Sequence, residues 1–187
     1  MAAPVRLFIA AAVPPGTALR RLMRELGELD PGLRLVDGDL HLTLKFLGDT
    51  PWERTVEVTD MLRAICERAP SCELNLQGIG AFPRLERPQV VWAGIAPTEP
   101  VVALAREIES TCAELGFPRE DRPYRPHVTL ARVKGRPSRE LPGWIASHAS
   151  TTFHGFELNE VTLYQSELRR SGPVYTPLAS VPLAMGN

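Results

Sequence analysis

The amino-acid sequence predicts an α+β fold with antiparallel sheets. Strand-like and helix-like segments interleave through hairpin-like connections, and no glycine-rich turn joins a strand to a helix, as a doubly wound parallel sheet with a phosphate loop would require. Two similar strands, "LHLTLKFLG" (40–48) and "RPHVTLARV" (125–133), each follow a strand and a helix. Two related halves are therefore expected, with one motif strand in each. The 187 residues suffice for one well-buried domain or two small lobes sharing a core, and no linker or low-complexity tract marks a boundary within 1–187.

The apolar run "VRLFIAAAV" (5–13) reads as a buried first strand, being too short and too weakly flanked by charge for a secretory signal. Leu19, Leu22, Met23, Leu26 and Leu29 then recur at helical spacing over 16–29. A turn at Asp37-Gly38-Asp39 leads to the first motif strand, 40–47. In "TPWE" (50–53), Thr50 can cap a helix, Pro51 can take its first position and Glu53 can close a capping box. Trp52, Val56, Leu62, Ile65 and Cys66 would form the apolar face of that helix, to about Arg68. Strands at 72–82 and 88–95 are joined by the loop "PRLERP". Residues 98–115 form a third helix, with Val101, Leu104, Ile108, Cys112 and Leu115 on one face and Gly116 as its stop. A loop rich in Pro and Arg (117–126) delivers the chain to the second motif strand, 127–133. A short helix (138–148) and strands at 151–157, 160–168 and 174–182 follow.

Composition narrows the function. A hydrophobic content of 44% and a charged content of 23% are those of a soluble globular protein, and no apolar run is long enough to span a membrane. Cys66, Cys72 and Cys112 are odd in number and lack metal or redox spacing, so small core residues in a reduced, cytoplasmic setting are expected. A net charge of −1 argues against a broad nucleic-acid-binding surface. The charge is uneven, however. Seven basic residues between Arg119 and Arg139 face only Glu120 and Asp121, and this excess flanks the second motif. A solvated loop rim is the bland explanation.

The motifs carry the chemistry. Strand side chains alternate faces, so His41 and Thr43 share one face while Leu42, Leu44 and Phe46 take the other; His127 and Thr129 repeat the pattern. With 12 threonines and 24 leucines in 187 residues, a given histidine is followed by x-Thr-Leu by chance on the order of 1% of the time, yet two of four histidines are. A zinc site would need further His, Cys or carboxylate ligands, and none stands at ligand spacing from either motif. A structural role, which suits His148 and His154, would have to apply twice over, each time with a hydroxyl on the same face. Acid–base catalysis at phosphorus explains the whole pattern. One histidine takes a proton from the nucleophile and the other protonates the leaving oxygen. The threonine hydroxyls donate to the non-bridging oxygens as charge develops. No metal or cofactor is needed for that chemistry.

With these motifs the sequence resembles the 2H phosphoesterase superfamily and, within it, the RNA 2′,3′-cyclic phosphodiesterase (2′-5′ RNA ligase-like) family. "RLFIA", "LHLTLKFLG", "GIGAFPR", "RPQVVWAGI", "YRPHVTLARV" and "SELRRSGPVYTPL" follow the family pattern in order along nearly the whole chain. The resemblance implies a single bilobal, pseudo-twofold domain over 1–187, its two antiparallel sheets facing each other across a central cleft with helices outside. It implies opening of a terminal 2′,3′-cyclic phosphate to a 2′-phosphate, with weak reversible 2′-5′ ligation of RNA. His41 and His127 would then be catalytic, His41 as acid for the 3′-oxygen and His127 as base for water. Thr43, Thr129 and Arg132 would hold the phosphate. Arg132 is at odd spacing from His127, so a bulge or the strand's end must bring it round. Lys45, sharing the face of His41, and Phe82, Tyr124 and Arg125 in the flanking loops are candidate substrate contacts. The expected partners are cyclic-phosphate RNA ends or small cyclic nucleotides, met by a monomer. The rivals are a 2H enzyme opening another substrate such as ADP-ribose 1″,2″-cyclic phosphate, and a non-catalytic RNA-binding module that keeps the cleft.

Overall fold

In the computed structural model, which describes residues 3–169 and 172–186, the elements run β1 (Val5–Val13), α1 (Gly16–Leu29), β2 (Leu33–Leu35), β3 (Leu40–Thr50), α2 (Arg54–Cys66), β4 (Cys72–Arg84), β5 (Arg87–Ala96), α3 (Glu99–Glu114), β6 (His127–Val133), α4 (Leu141–Ser147), β7 (Thr152–Leu158), β8 (Glu160–Arg169) and β9 (Gly172–Pro182). Arg170 and Ser171 of the "SELRRSGPVYTPL" stretch lie outside the described residues. The α+β expectation holds, with every main strand antiparallel to its neighbours.

The strand order β7-β4-β5-β6-β3-β1-β8-β9 consists of two four-stranded halves, each ending inward on a motif strand. The halves are not separate sheets. β3 and β6 join them through one pair, Leu42 opposite Val128, so the sheet is continuous across the cleft. The short β2 extends β6 by pairing Leu33–Leu35 with residues 131–133; three residues are too few for a periodic signal in the sequence.

The helices cover one face of this sheet. α1 packs on β7, α4 on β4, α3 on β3, and α2 on α3, β8 and β9. Their apolar stripes (Leu19, Leu22 and Leu26 on α1; Val101, Leu104, Ile108 and Cys112 on α3) join the strand residues Leu7, Ile9, Leu42, Leu74 and Val128 in one core. Strand β1 is buried on both faces: Phe8 and Ala10 form a second cluster with Tyr164 on the side away from that core.

Three local expectations fail for identifiable reasons. The capping box in "TPWE" does not form, because β3 continues to Thr50, whose hydroxyl donates to the Gly48 carbonyl. A turn at 51–53 then starts α2 at Arg54, leaving Trp52 and Val56 45% and 65% exposed rather than on the buried stripe. The "PRLERP" loop is mostly strand, with Arg84 opposite Arg87 closing the β4–β5 hairpin.

Candidate active site

Both motif strands carry the same irregularity at the same place. Ala10 of β1 faces Thr43 while Ile9 faces Lys45, so Leu44 is an extra residue; Trp92 of β5 faces Thr129 while Val91 faces Ala131, so Leu130 is an extra residue. Such a bulge reverses the alternation of side chains beyond it. The fifth residue after each histidine therefore returns to the histidine's face, and the fourth turns toward the helices.

This places Arg132 on the face of His127 and removes the parity conflict in the sequence. Its guanidinium is near enough to act electrostatically on His127. The same step corrects two expectations on β3. Phe46 does not join Leu42 in the core. It is 65% exposed, its ring 6.1 Å from Phe8, which also contacts His41. Lys45 does not share the face of His41: it is buried, its Nζ 2.9 Å from Glu109 Oε2 of α3 and donating to the Pro118 carbonyl at 2.7 Å. A ligand in the cleft cannot reach it.

The pairing of Leu42 with Val128 sets the two motifs against each other. Carried one residue either way along an antiparallel ladder, that register puts His41 across from Thr129 and Thr43 across from His127. Directly opposed side chains in such a ladder lie about 5 Å apart and diagonal ones about 7–8 Å, a span that can hold a phosphate between two imidazoles. Both histidines and both threonines are half-buried. The threonine hydroxyls make no hydrogen bond among the described residues, whereas the Thr43 carbonyl accepts one from the Tyr124 hydroxyl at 2.9 Å.

Each histidine stands edge-on to aromatic rings. His41 meets Tyr164, Tyr175 and Phe8 at centroid distances of 4.8, 5.3 and 6.2 Å. His127 meets Phe82 and Trp92 at 4.9 and 6.3 Å. Gly80, in the "GIGAFPR" stretch, makes this wall possible, since a Cβ there would sit 2.2 Å from the Trp92 ring. Phe82 therefore stands beside His127, and it does so from strand β4 rather than from a flanking loop. Tyr124 is not free to meet a base: its ring packs against the main core and its hydroxyl is bound to β3. Arg125 is exposed, and its backbone, rather than its guanidinium, touches the motif. Tyr175 belongs to the "SELRRSGPVYTPL" stretch, but its place beside His41, like that of Tyr164, escaped the sequence because β8 and β9 come from far along the chain.

The two imidazoles differ electrostatically. Nδ1 of His127 lies 2.7 Å from the Arg125 carbonyl, which can only accept, so Nδ1 carries hydrogen and Nε2 is left to exchange a proton. Burial lowers the pKa of both histidines below the ordinary value. Against that common shift, the Asp39 carboxylate and backbone carbonyl favour the charged form of His41. At His127 the Arg125 carbonyl favours the charged form too, but Arg132 opposes it. His148 and His154 are occupied elsewhere, bonded to the carbonyls of Trp144 and Pro14. Cys66 and Cys112 are buried among core side chains, which pushes each thiol up to about 11 and keeps it protonated.

A site with two histidines, two free hydroxyls and a cation, astride two antiparallel half-sheets, defines a two-histidine phosphoesterase class. The model of the 2′-5′ RNA ligase superfamily matches residues 9–170. An RNA 2′,3′-cyclic phosphodiesterase of Aeropyrum pernix is 35% identical over 152 residues, covering 79% of this chain and 84% of that one. Among solved structures, a Thermus thermophilus protein superposes with a TM-score of 0.80 at 28% identity, covering 97% of this chain and 100% of that one. E. coli LigT complexed with 3′-AMP gives 0.73 at 29% identity, covering 96% and 98%. The chain belongs to the 2′-5′ RNA ligase superfamily and, within it, to the RNA 2′,3′-cyclic phosphodiesterases, a family of hydrolases. No helix among the described residues is long and apolar enough to cross a membrane.

Proposed function

We propose that this chain opens a 2′,3′-cyclic phosphate at the 3′ end of RNA, or on a small cyclic nucleotide, to a 2′-phosphate without a metal. Nε2 of His127 takes a proton from water, whose oxygen forms the new bond to phosphorus. The bond from phosphorus to the 3′-oxygen breaks, and His41 gives that oxygen its proton. The hydroxyls of Thr43 and Thr129 donate to the non-bridging oxygens, and Arg132 balances their charge. With a 5′-hydroxyl in place of water, the same displacement makes a 2′-5′ linkage, and its reverse exchanges the roles of the histidines. Phe82 supplies an aromatic face for a base, and Arg125 stands at the rim. The whole chain acts as one bilobal catalytic unit, a monomer in the cytoplasm, where its three thiols remain reduced.

The observation that carries this reading is the matched register of two His-x-Thr pairs across the one joint between the half-sheets. The opposed influences of Asp39 and Arg132 support the assignment of acid and base. The test is to incubate the protein with 2′,3′-cyclic AMP and with an RNA ending in a cyclic phosphate, EDTA present, and to identify the product isomer. A 2′-phosphate from both is expected. Absence of turnover would refute catalysis, loss of turnover to EDTA would refute metal independence, and a 3′-phosphate would refute the leaving oxygen.

A further inference from the structure

The basic excess near the second motif is part of a larger arrangement that spans three chain segments. Two pairs of arginines stand directly opposite each other across strands: Arg34 of β2 faces Arg132 of β6, and Arg84 faces Arg87 at the end of the β4–β5 hairpin. Like charges placed this way repel. None of these four has a carboxylate partner among the described residues, although Arg6, Arg21, Lys45, Arg54, Arg63, Arg68 and Arg169 all do. Just beyond β6, Arg136 and Arg139 line an open groove of about 640 Å³ together with Arg87, Gln89 and Ser138. They too are unpaired among the described residues, and Glu86 is the one acidic side chain in the lining.

The groove's wall is held in place from behind. Asp30, at the end of α1, is buried and accepts from the backbone N–H groups of Gly32 at 3.0 Å and Ser138 at 2.8 Å. Its carboxylate fixes the 136–139 loop without neutralising the arginines. The groove adjoins the site through β5 and β6: Gln89 precedes Val90, the partner of Arg132, and Arg136 follows Arg132 by four residues. From His127 to Arg132 the strand covers roughly 16 Å. A ligand that begins at His127 and ends in this groove must be extended, and the arginines along the way suit one that carries several negative charges.

We infer that these arginines form a track for the phosphodiester backbone of a single-stranded RNA whose cyclic end lies between the two histidines. The inference rests on the reading of the site as a cyclic phosphodiesterase and adds the path that an RNA follows beyond its cyclic end. Phosphates entering between the arginines relieve the repulsion within each pair, most strongly at low salt, so the track favours RNA several residues long.

The test separates the track from the catalytic site. Binding of an RNA of about ten nucleotides with a cyclic-phosphate end is followed by fluorescence anisotropy over a range of salt, and turnover of 2′,3′-cyclic AMP is measured in parallel. The double variants Arg84→Ala/Arg87→Ala and Arg136→Ala/Arg139→Ala change only exposed side chains, and a thermal melt checks that each is folded. Each should weaken RNA binding at low salt about tenfold or more and reduce the slope of log affinity against log salt by about 1.4, at roughly 0.7 per lost phosphate contact on a single strand. Turnover of 2′,3′-cyclic AMP should stay within about twofold of wild type, because a mononucleotide does not reach the groove. Unchanged RNA affinity and salt slope in both folded variants would overturn the track. A protein that binds RNA in this way but leaves 2′,3′-cyclic AMP untouched would uphold the track and refute the catalytic reading instead.

Discussion

Lys45 offers a direct measure of how the second half of the chain is tied to the first. Its ammonium, 5% exposed, holds both Glu109 of α3 and the Pro118 carbonyl at the start of the loop that delivers His127. Replacing Lys45 by alanine leaves a carboxylate that is only 25% exposed facing an emptied position. Solvent-exposed pairs contribute at most about 1 kcal/mol, while breaking a buried pair costs roughly 3–5. Glu109 keeps one other contact, the Glu120 N–H at 3.0 Å, so the loss should fall at the low end, about 3 kcal/mol. For a chain of this size that corresponds to a fall in Tm of roughly 6–12 °C. Lys45→Met/Glu109→Gln should recover most of the loss, since an apolar stem and a neutral amide leave no buried charge unpaired. Urea denaturation gives the stability, and KM for 2′,3′-cyclic AMP gives the site. A Lys45→Ala variant that lost under about 1 kcal/mol but raised KM, with no rescue in the double variant, would return Lys45 to the substrate and refute the bulge argument.

The pH dependence follows from the two histidines. The proposed mechanism needs His127 neutral and His41 protonated, and burial lowers both, so the kcat/KM bell should centre below the ordinary histidine value of about 6.5; a centre above it would contradict the burial. Asp39→Asn removes a charge that raises the pKa of His41, so the alkaline limb should move to still lower pH while the acid limb stays; movement of the acid limb alone would reverse the roles. Stability carries the same sign: with both folded pKa values depressed, the contribution is present above about 6.5 and is lost as pH falls through the folded values. A His127→Gln variant should flatten part of that acid-side loss in denaturation curves. Gly80→Ala must push the Trp92 ring aside, so His127 loses part of its wall; turnover should fall about tenfold or more, and an unaltered rate would show the wall to be dispensable.

Much of this was legible because period two and period 3.6 patterns survive in single sequences. The two motif strands and the apolar stripes of α1 and α3 were readable from residue spacing, and the antiparallel class from the hairpin-like connections between elements. What escaped reading has a common cause in long-range pairing. A bulge is defined by the neighbour's register, and Leu44 and Leu130 fit an unbroken apolar alternation, so nothing local marks them as extra. That single hidden step put Lys45 and Phe46 on the wrong faces and made Arg132 look misplaced. The failed cap at Thr50 is similar: the residues suit a helix start, but pairing with Val5 of β1 extends the strand through them. Tyr124 has the composition of a loop aromatic, and only the approach of β3 turns it inward. The aromatic wall beside His41 comes from β8 and β9, more than a hundred residues later in the chain.

The matched bulges give the cleft a direction. The backbone repeats itself about the Leu42–Val128 pair, and the repeat extends to the extra leucine in each strand. It is broken two residues on, where one half presents the phenyl ring of Phe46 and the other the guanidinium of Arg132. A ligand turned end for end would meet a ring where its other orientation meets a cation. Two imidazoles at matched positions of the backbone are thereby given unlike surroundings, so the two ends of a bound ligand are told apart.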